Sequence, residues 1–352
     1  MSRILKGRLV WPVAILLVLL LFNMIIEPTF FDVRIEDGHL FGSTIDILRE
    51  GAPTVLIALG MTLVIATRGI DLSVGAIVAI SGAVACTMIA SSPSPGSIGT
   101  VLIAVVVAIL VSLLLGAWNG FLIAVVGIQP IVATLILMTA GRGIAMLITQ
   151  GQIVTVNSAA YKVIGGGYWF GLPAAILIAG VMFAATVLLT RKTALGLFIE
   201  SVGINPSASR LAGVHARSIV WMVYVFSGLC AGIAGLMISS SVTAADANTA
   251  GVWIELDGIL AVVIGGTSLA GGRFSLTGSL LGAFIIQTLT ATIYTLGVTP
   301  EYTLVLKAIV VTIVCLAQSP AFRAKARRLA HTGRRLNTNA KRRPSTNATV
   351  VK

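Results

Sequence analysis

Long apolar stretches separated by short polar connections make up most of the chain before residue 319. Several have the length of about 17–25 residues that a helix needs to cross a bilayer. We place these stretches at residues 9–26, 52–67, 72–90, 98–126, 131–149, 173–190, 219–240, 257–269, 276–296 and 302–317. The pattern predicts an all-α polytopic membrane protein with about ten transmembrane helices, the shortest of them partial or broken.

The first apolar stretch resembles a signal peptide, because Arg3, Lys6 and Arg8 precede it. Its length is nearer to that of a spanning helix, and no small-residue cleavage site follows it. We therefore expect an uncleaved first helix with its amino terminus inside, followed by an outside loop at residues 30–50.

The distribution of basic residues predicts the orientation. Residues 191–217 contain four arginines and lysines against Glu200 alone, and residues 319–352 contain ten arginines and lysines and no acid. Loops rich in Lys and Arg stay on the cytoplasmic side of the membrane. We expect both termini to be cytoplasmic, with a transmembrane domain at residues 1–318 and a basic, disordered tail at residues 319–352.

Composition narrows the class of protein. Hydrophobic residues make up 57% of the chain and charged residues 10%, whereas about a quarter of residues are charged in soluble domains. The net charge of +12 does not indicate nucleic acid binding, because no aromatic platform is interleaved with the basic tail, and contact with anionic membrane lipid explains the tail. The cysteines and histidines are scattered, so we expect no metal or other cofactor. The sequence also lacks clustered side chains with catalytic spacing, so we do not expect an enzyme.

Within the polar stretch, Asn205 and Pro206 form a helix start, because Asn caps free backbone N–H groups and Pro fits the first helical position. Gly213 is a natural stop. The sequence predicts a short cytoplasmic helix at residues 206–212, too short to be stable without a partner surface. That surface is either the chain's own bundle or a second protein.

Two segments interrupt the apolar pattern with charges and glycines. Residues 67–75 join two stretches almost without a loop, and a short helix opening at Glu255 and Asp257 ends in paired glycines at 265–266 and 271–272. Such breaks in both halves of a transporter often lie at the pathway. A tight cytoplasmic turn, with Arg68 reaching lipid phosphate, explains the first one equally well.

A weak internal repeat predicts two halves of inverted topology. Residues 115–118 and 127–130 are echoed by residues 281–284 and 297–300, and the ten-helix topology makes these copies run in opposite directions.

Several motifs resemble the permease subunits of bacterial ABC sugar importers of the ribose type. The family's coupling signature is matched by Glu200, Gly203, Asn205, Ala208, Ala212 and Gly213. Residues 69–75, 129–135 and 271–273 resemble further family elements, and residues 41–48, 191–196 and 246–248 are most similar to the galactofuranose-type permeases. Ser201 and Ser207 depart from the signature but are small, whereas Arg68 stands where the family usually has Gly.

The resemblance implies an importer in the bacterial inner membrane that moves a galactofuranose- or ribose-like monosaccharide. Its parts are two permease subunits, alike or different, two ATP-binding subunits and a periplasmic sugar-binding protein. The chain itself has no G-x-x-x-x-G-K-[ST] phosphate loop, so another chain must supply the energy.

The resemblance and the sequence pattern together give two sets of candidate residues. Coupling to the ATP-binding subunit is predicted for Glu200, Gly203, Asn205, Pro206, Ala208, Ala212 and Gly213. The substrate pathway is predicted to include Asp71, Ser73, Trp118, Asn119, Gln129, Asp257 and Gln287. These polar and aromatic side chains suit sugars, although each also fits a packing or interfacial role.

An ion-coupled secondary sugar transporter is the alternative. Such a protein needs carboxylates deep in the membrane as ion sites. Only Asp71 and Asp257 approach the apolar stretches, and both lie at the ends of stretches.

Overall fold

The computed structural model describes residues 9–36 and 38–318. Thirteen α-helices occur in this part of the chain: α1 (Val10–Ile26), α2 (Ser43–Ala66), α3 (Val74–Ala90), α4 (Ile98–Phe121), α5 (Pro130–Thr149), α6 (Ala159–Gly166), α7 (Ala174–Lys192), α8 (Leu195–Ile204), α9 (Pro206–Leu211), α10 (Ala216–Ser241), α11 (Ile254–Ile264), α12 (Leu276–Thr295) and α13 (Pro300–Gln318). A π-helical turn, Leu122–Val126, extends α4. The prediction of a mainly helical protein is confirmed.

Six helices in the described ranges are long and apolar enough to cross a membrane. They are α2, α4 with its π-helical extension, α5, α7, α10 and α12. The apolar helices α1 and α3 have 17 residues each, and α11 has 11. The predicted apolar stretches therefore correspond to helices of unequal length.

The chain divides into two units, residues 1–303 and residues 304–352. The first contains α1 to α12 and the start of α13. In the second, the structure describes residues 304–318, which complete α13. The predicted basic tail at residues 319–352 lies outside the described residues.

Helix α10 is the packing centre of the first unit, where it lies against α2, α3 and α4. Its glycines permit this close approach. A β-carbon at Gly228 would lie 2.5 Å from the Ser112 carbonyl oxygen and 2.9 Å from the α-carbon of Gly116. Small residues at four-residue spacing let helix backbones come this near.

Burial separates the helices into two groups. From Ala52 to Ala66, nearly every residue of α2 is buried, as expected of a helix that is apolar on all sides. By contrast, α4 leaves large apolar side chains such as Leu102, Val106 and Leu110 exposed. In a membrane protein such a surface faces lipid or another subunit.

The outside loop expected at residues 30–50 is only partly irregular. Two short strands, β1 (Arg34–Glu36) and β2 (His39–Phe41), pair antiparallel, and α2 begins at Ser43. The prediction missed this polar first part of α2 because it contains no apolar run. An ion pair of 3.0 Å between Arg49 and Asp46, one helical turn apart, accompanies the helical conformation.

Four more strands of two residues each lie in the connections. Strand β3 (Val154–Thr155) pairs antiparallel with β6 (Ala244–Ala245), and β4 (Tyr168–Trp169) with β5 (Leu172–Pro173). The first pair joins the connection after α5 to the one after α10.

Candidate coupling segment and buried polar centre

Helices α8 and α9 form a continuous segment, residues 195–211, which we call the coupling segment. Asn205 separates the two helices, and its side-chain oxygen accepts hydrogen bonds from the backbone N–H groups of Ser207 (3.1 Å) and Ala208 (3.0 Å). Pro206 occupies the first helical position, and Gly213 has φ of +84°. The predicted short helix is present and ends at Leu211, one residue earlier than expected, while α8 was not predicted.

Gly203 brings the coupling segment into backbone contact with the rest of the bundle. It is buried, and a β-carbon there would overlap the carbonyl oxygen of Ala66, the last residue of α2. The backbone N–H of Gly272 donates to the same oxygen at 2.8 Å. The coupling segment, the end of α2 and the turn before α12 therefore meet at one point without intervening side chains.

Two arginines fasten the coupling segment, one through a hydrogen bond and the other through an ion pair. Arg68 donates from Nη2 to the carbonyl oxygen of Ile204 at 2.5 Å. Arg191 lies 3.9 Å from the carboxylate of Glu200 and donates to the carbonyl oxygen of Phe274 at 3.2 Å. The middle of α8 is thus tied to the end of α7, and its last residue to the turn after α2.

The outer side of the segment is small and accessible. Ala208, Ala212 and Gly213 are exposed, and Leu211 is 92% exposed. A small, partly apolar surface on a short helix is suited to close docking by another protein.

Asp71 is the centre of a buried hydrogen-bond network. Its Oδ1 accepts from the backbone N–H of Ser73 (3.1 Å) and from the Ser73 hydroxyl (2.6 Å), and its Oδ2 accepts from the Ser227 hydroxyl at 2.8 Å. The side-chain amide of Asn119 donates to the Ser73 hydroxyl at 2.8 Å. All four side chains are buried, so the network joins the turn before α3 to α4 and α10.

Two buried polar atoms beside this network have no hydrogen-bond partner in the described part of the chain. They are Oδ1 of Asn119 and the hydroxyl of Tyr224. Tyr224 is fully buried, and a β-carbon at Gly69 would overlap its hydroxyl. Such unpartnered groups are uncommon in protein interiors and indicate capacity for a further ligand or water.

The first turns of α3 and α11 meet at Glu255. This side chain is 4% exposed, and a β-carbon at Gly75 would overlap its Oε2. Helix starts carry partial positive charge, which a carboxylate neutralises. Arg142 donates to the carbonyl oxygens of Ala247 (2.9 Å) and Ala250 (2.6 Å) and so holds the connection that leads to α11.

Asp246 orders the start of the same connection. Its carboxylate accepts from the Thr249 hydroxyl (2.7 Å) and from the Asn248 backbone N–H (2.9 Å). These hydrogen bonds lower the pKa of Asp246 below its usual value, so the group stays ionised at neutral pH.

The structure brings only some of the predicted pathway residues together. Asp71, Ser73 and Asn119 form the network described above. The remaining four have other surroundings: Trp118 is exposed and stacks on Phe121, Gln129 is exposed before α5, Asp257 is half-buried on α11, and Gln287 lies 3.4 Å from Glu50.

Four residues of these sites were missing from the predicted sets: Arg142, Tyr224, Ser227 and Glu255. Arg142 is the one charged residue in the stretch 131–149, which is a usable signal, and Glu255 accompanies Asp257 at a recognised break. Ser227 and Tyr224 lie in an ordinary apolar stretch, and only the fold shows that they adjoin Asp71.

Residues 43–315 match the family model described as branched-chain amino acid transport system, permease component. The chain is 52% identical to the galactofuranose transporter permease protein of Escherichia coli (strain K12) over 323 residues, covering 90% of this chain and 93% of the relative. No solved structure gave a significant match.

Two further relatives are also permeases. The fructose import permease protein of Bifidobacterium longum is 41% identical, with coverage of 91% of this chain and 90% of the relative. The ribose import permease protein of Haemophilus influenzae is 36% identical, with coverage of 86% and 91%. The similarity therefore extends over nearly the full length of each relative.

Proposed function

Because the chain belongs to the family of branched-chain amino acid transport system permease components, we propose that it is the membrane subunit of an ATP-driven sugar importer. The observation that carries this proposal is the near full-length similarity to permeases named for galactofuranose, fructose and ribose. A galactofuranose- or ribose-like monosaccharide is the proposed substrate. Family membership and six apolar helices make the chain a multi-pass protein of the inner membrane and not an enzyme.

The coupling segment is proposed to dock on the ATP-binding subunit. Asn205 and Pro206 start the docking helix, while Ala208, Ala212 and Gly213 form its small exposed surface. On the opposite side, Gly203 and Glu200 connect the segment to the bundle. A segment held in this way suits transmission of ATP-driven movement.

The family implies an ATP-binding subunit and a substrate-binding protein as partners. We further propose a second permease subunit, identical or different, on the exposed apolar helix surfaces, and anionic lipid at the basic tail. The chain's lack of a phosphate loop agrees with ATP hydrolysis by another subunit.

We propose a topology of about ten spans in two inverted halves, with both termini in the cytoplasm. The geometry at Glu255 supports two halves, because α3 and α11 start beside each other and then diverge. Helix α3 runs towards the end of α10, where Gly82 adjoins Ser239, and α11 runs towards the start of α12, where Gly265 adjoins Gly278. Short helices beginning inside a bundle are a feature of transporters with inverted repeats.

The substrate pathway is proposed to pass near Asp71, Ser73 and Asn119. If these side chains only filled space, apolar side chains could take their place in the buried interior. Trp118, Gln129, Asp257 and Gln287 belong to the same proposal as polar or aromatic groups elsewhere along the bundle.

The first test is purification of the tagged chain from its native membrane in mild detergent, with identification of every stoichiometric partner. We expect an ATP-binding subunit and, when the complex is placed in vesicles, sugar uptake that requires ATP. Recovery of the chain alone, with sugar uptake that continues without ATP and stops on addition of a protonophore, would instead establish an ion-coupled transporter.

A further inference from the structure

A cavity of about 200 Å³ lies behind the coupling segment. Pro206 and Arg210 of the segment form one wall, Arg217 and Tyr224 of α10 another, and Thr67 and Gly69 of the turn after α2 a third. The cavity is smaller than the range of about 300–1,000 Å³ typical of small-molecule sites. Its size suits one side chain better than a whole sugar.

Two cations on different elements border this cavity. Arg210 and Arg217 are both exposed, and within the described ranges neither forms an ion pair or a side-chain hydrogen bond. The neighbouring Arg68 and Arg191, by contrast, are engaged with backbone carbonyls. Two guanidinium groups facing one small cavity are the donors that a carboxylate accepts best.

Two further features favour a negative group at the same place. Helix α10 has 26 residues and begins at Ala216, which also lines the cavity, and no side chain caps its first N–H groups. The start of a long helix attracts anions. The buried Tyr224, another lining residue, keeps a hydroxyl without a hydrogen-bond partner in the described part of the chain.

No acidic side chain lines the cavity among the residues that the structure describes. The described lining therefore supplies no counter-charge for the two arginines. Because α9 forms one wall, a protein that docks on the coupling segment also covers this cavity.

We propose that the cavity receives an Asp or Glu side chain of the ATP-binding subunit, which pairs with Arg210 and Arg217. This inference rests on the proposed function and adds a specific ionic contact to it. Docking of the subunit would bury this pair, and removing one partner from a buried pair weakens binding mainly through faster dissociation.

The test measures recovery of purified ATP-binding subunit on membranes that contain equal amounts of each permease variant. The double variant Arg210→Gln with Arg217→Gln removes both charges, and Lys192→Gln, an exposed residue that does not line the cavity, is the matched control. We expect about tenfold less subunit on the double variant and unchanged recovery on the control. Added salt should lower recovery on wild-type membranes more steeply than on the double variant.

Substitutions of Arg217 alone separate the effect of charge from an effect on folding. Arg217→Lys keeps the positive charge and should retain more of the subunit than Arg217→Gln at equal membrane abundance. For Arg217→Glu, changing the matching acidic residue of the ATP-binding subunit to Lys should restore recovery.

Equal recovery on the double variant and wild type would overturn the inference while leaving the proposed function intact. Loss of co-purified anionic lipid from the double variant, with unchanged subunit recovery, would also overturn it and assign the cavity to a lipid headgroup. Failure of wild-type membranes to retain any ATP-binding subunit would instead contradict the proposed function.

Discussion

The guanidinium group of Arg68 donates a hydrogen bond to the backbone carbonyl of Ile204, linking the turn after α2 to the last residue of α8. Arg68 has φ of +66°, a left-handed conformation that favours glycine. A glycine at this position would adopt the same conformation without strain. The side-chain contact offsets a backbone cost of about 1 kcal/mol.

Arg68→Gly tests this balance, because it relieves the left-handed backbone while removing the hydrogen bond. We expect membrane abundance equal to or above that of wild type but less sugar taken up per ATP hydrolysed. Uptake and ATP hydrolysis in vesicles measure this ratio, and Arg68→Lys controls for charge. An unchanged ratio in Arg68→Gly would show that the contact has no part in coupling.

Gly203→Val is expected to displace the coupling segment, because a β-carbon at Gly203 overlaps the Ala66 carbonyl oxygen. Overpacking of this kind costs about 1–3 kcal/mol. Sugar uptake should fall strongly, with a lower melting temperature in detergent. Gly180→Val is the matched control, since nothing lies within 4 Å of a β-carbon there. Equal uptake by both variants would argue against a tight fit at Gly203.

Asp71→Asn keeps the size of the side chain but replaces one carboxylate oxygen with an N–H₂ group. The oxygen that is lost now accepts a hydrogen bond from Ser73 or from Ser227. We expect a loss of about 1–3 kcal/mol in the free energy of unfolding, since a buried donor is left without an acceptor. If Asp71 also adjoins the pathway, uptake per molecule falls further than membrane abundance.

Ser227→Ala controls for the hydrogen bond alone. It removes the donor to Asp71 while leaving the carboxylate and its contacts with Ser73 in place. Parallel losses of abundance and uptake in both variants would make Asp71 a purely structural charge.

Glu255→Gln removes the negative charge between the starts of α3 and α11. Each helix start loses favourable interaction of about 0.3–1 kcal/mol, so the melting temperature should fall. Glu36→Gln, in the exposed β1 strand, should leave it unchanged. An unchanged melting temperature for Glu255→Gln would show that the charge does not help to hold the two helix starts together.

Sequence reasoning located the features whose causes are local. Apolar runs longer than about 17 residues gave the long helices, because burial in lipid requires them. Asn205 and Pro206 located the start of α9, since capping depends on residues within one turn. The first part of α2, beginning at Ser43, was missed because its polar residues leave no apolar periodicity.

Features that depend on distant residues could not be predicted. Asp71 and Ser227 are 156 residues apart in the chain. In the sequence, Ser227 looks like any other small residue of an apolar helix. Glu255 was visible as part of a break, but its position against Gly75 follows from how α3 and α11 pack. Arg210 and Arg217 are near each other in the chain, but the cavity that they border is completed by the distant Thr67 and Gly69.

Helix α10 extends from a few residues beyond the coupling segment to the connection that contains Asp246. With 26 residues it is about 39 Å long. A tilt of about 5° at its first residue displaces its far end by about 3 Å, by the same geometry. Its glycines contact α3 and α4 through backbone atoms and small serine side chains, which leave little room to absorb such a tilt. We therefore expect α10 to move as one rigid body, so that a displacement beside the coupling segment reaches the connection that contains Asp246.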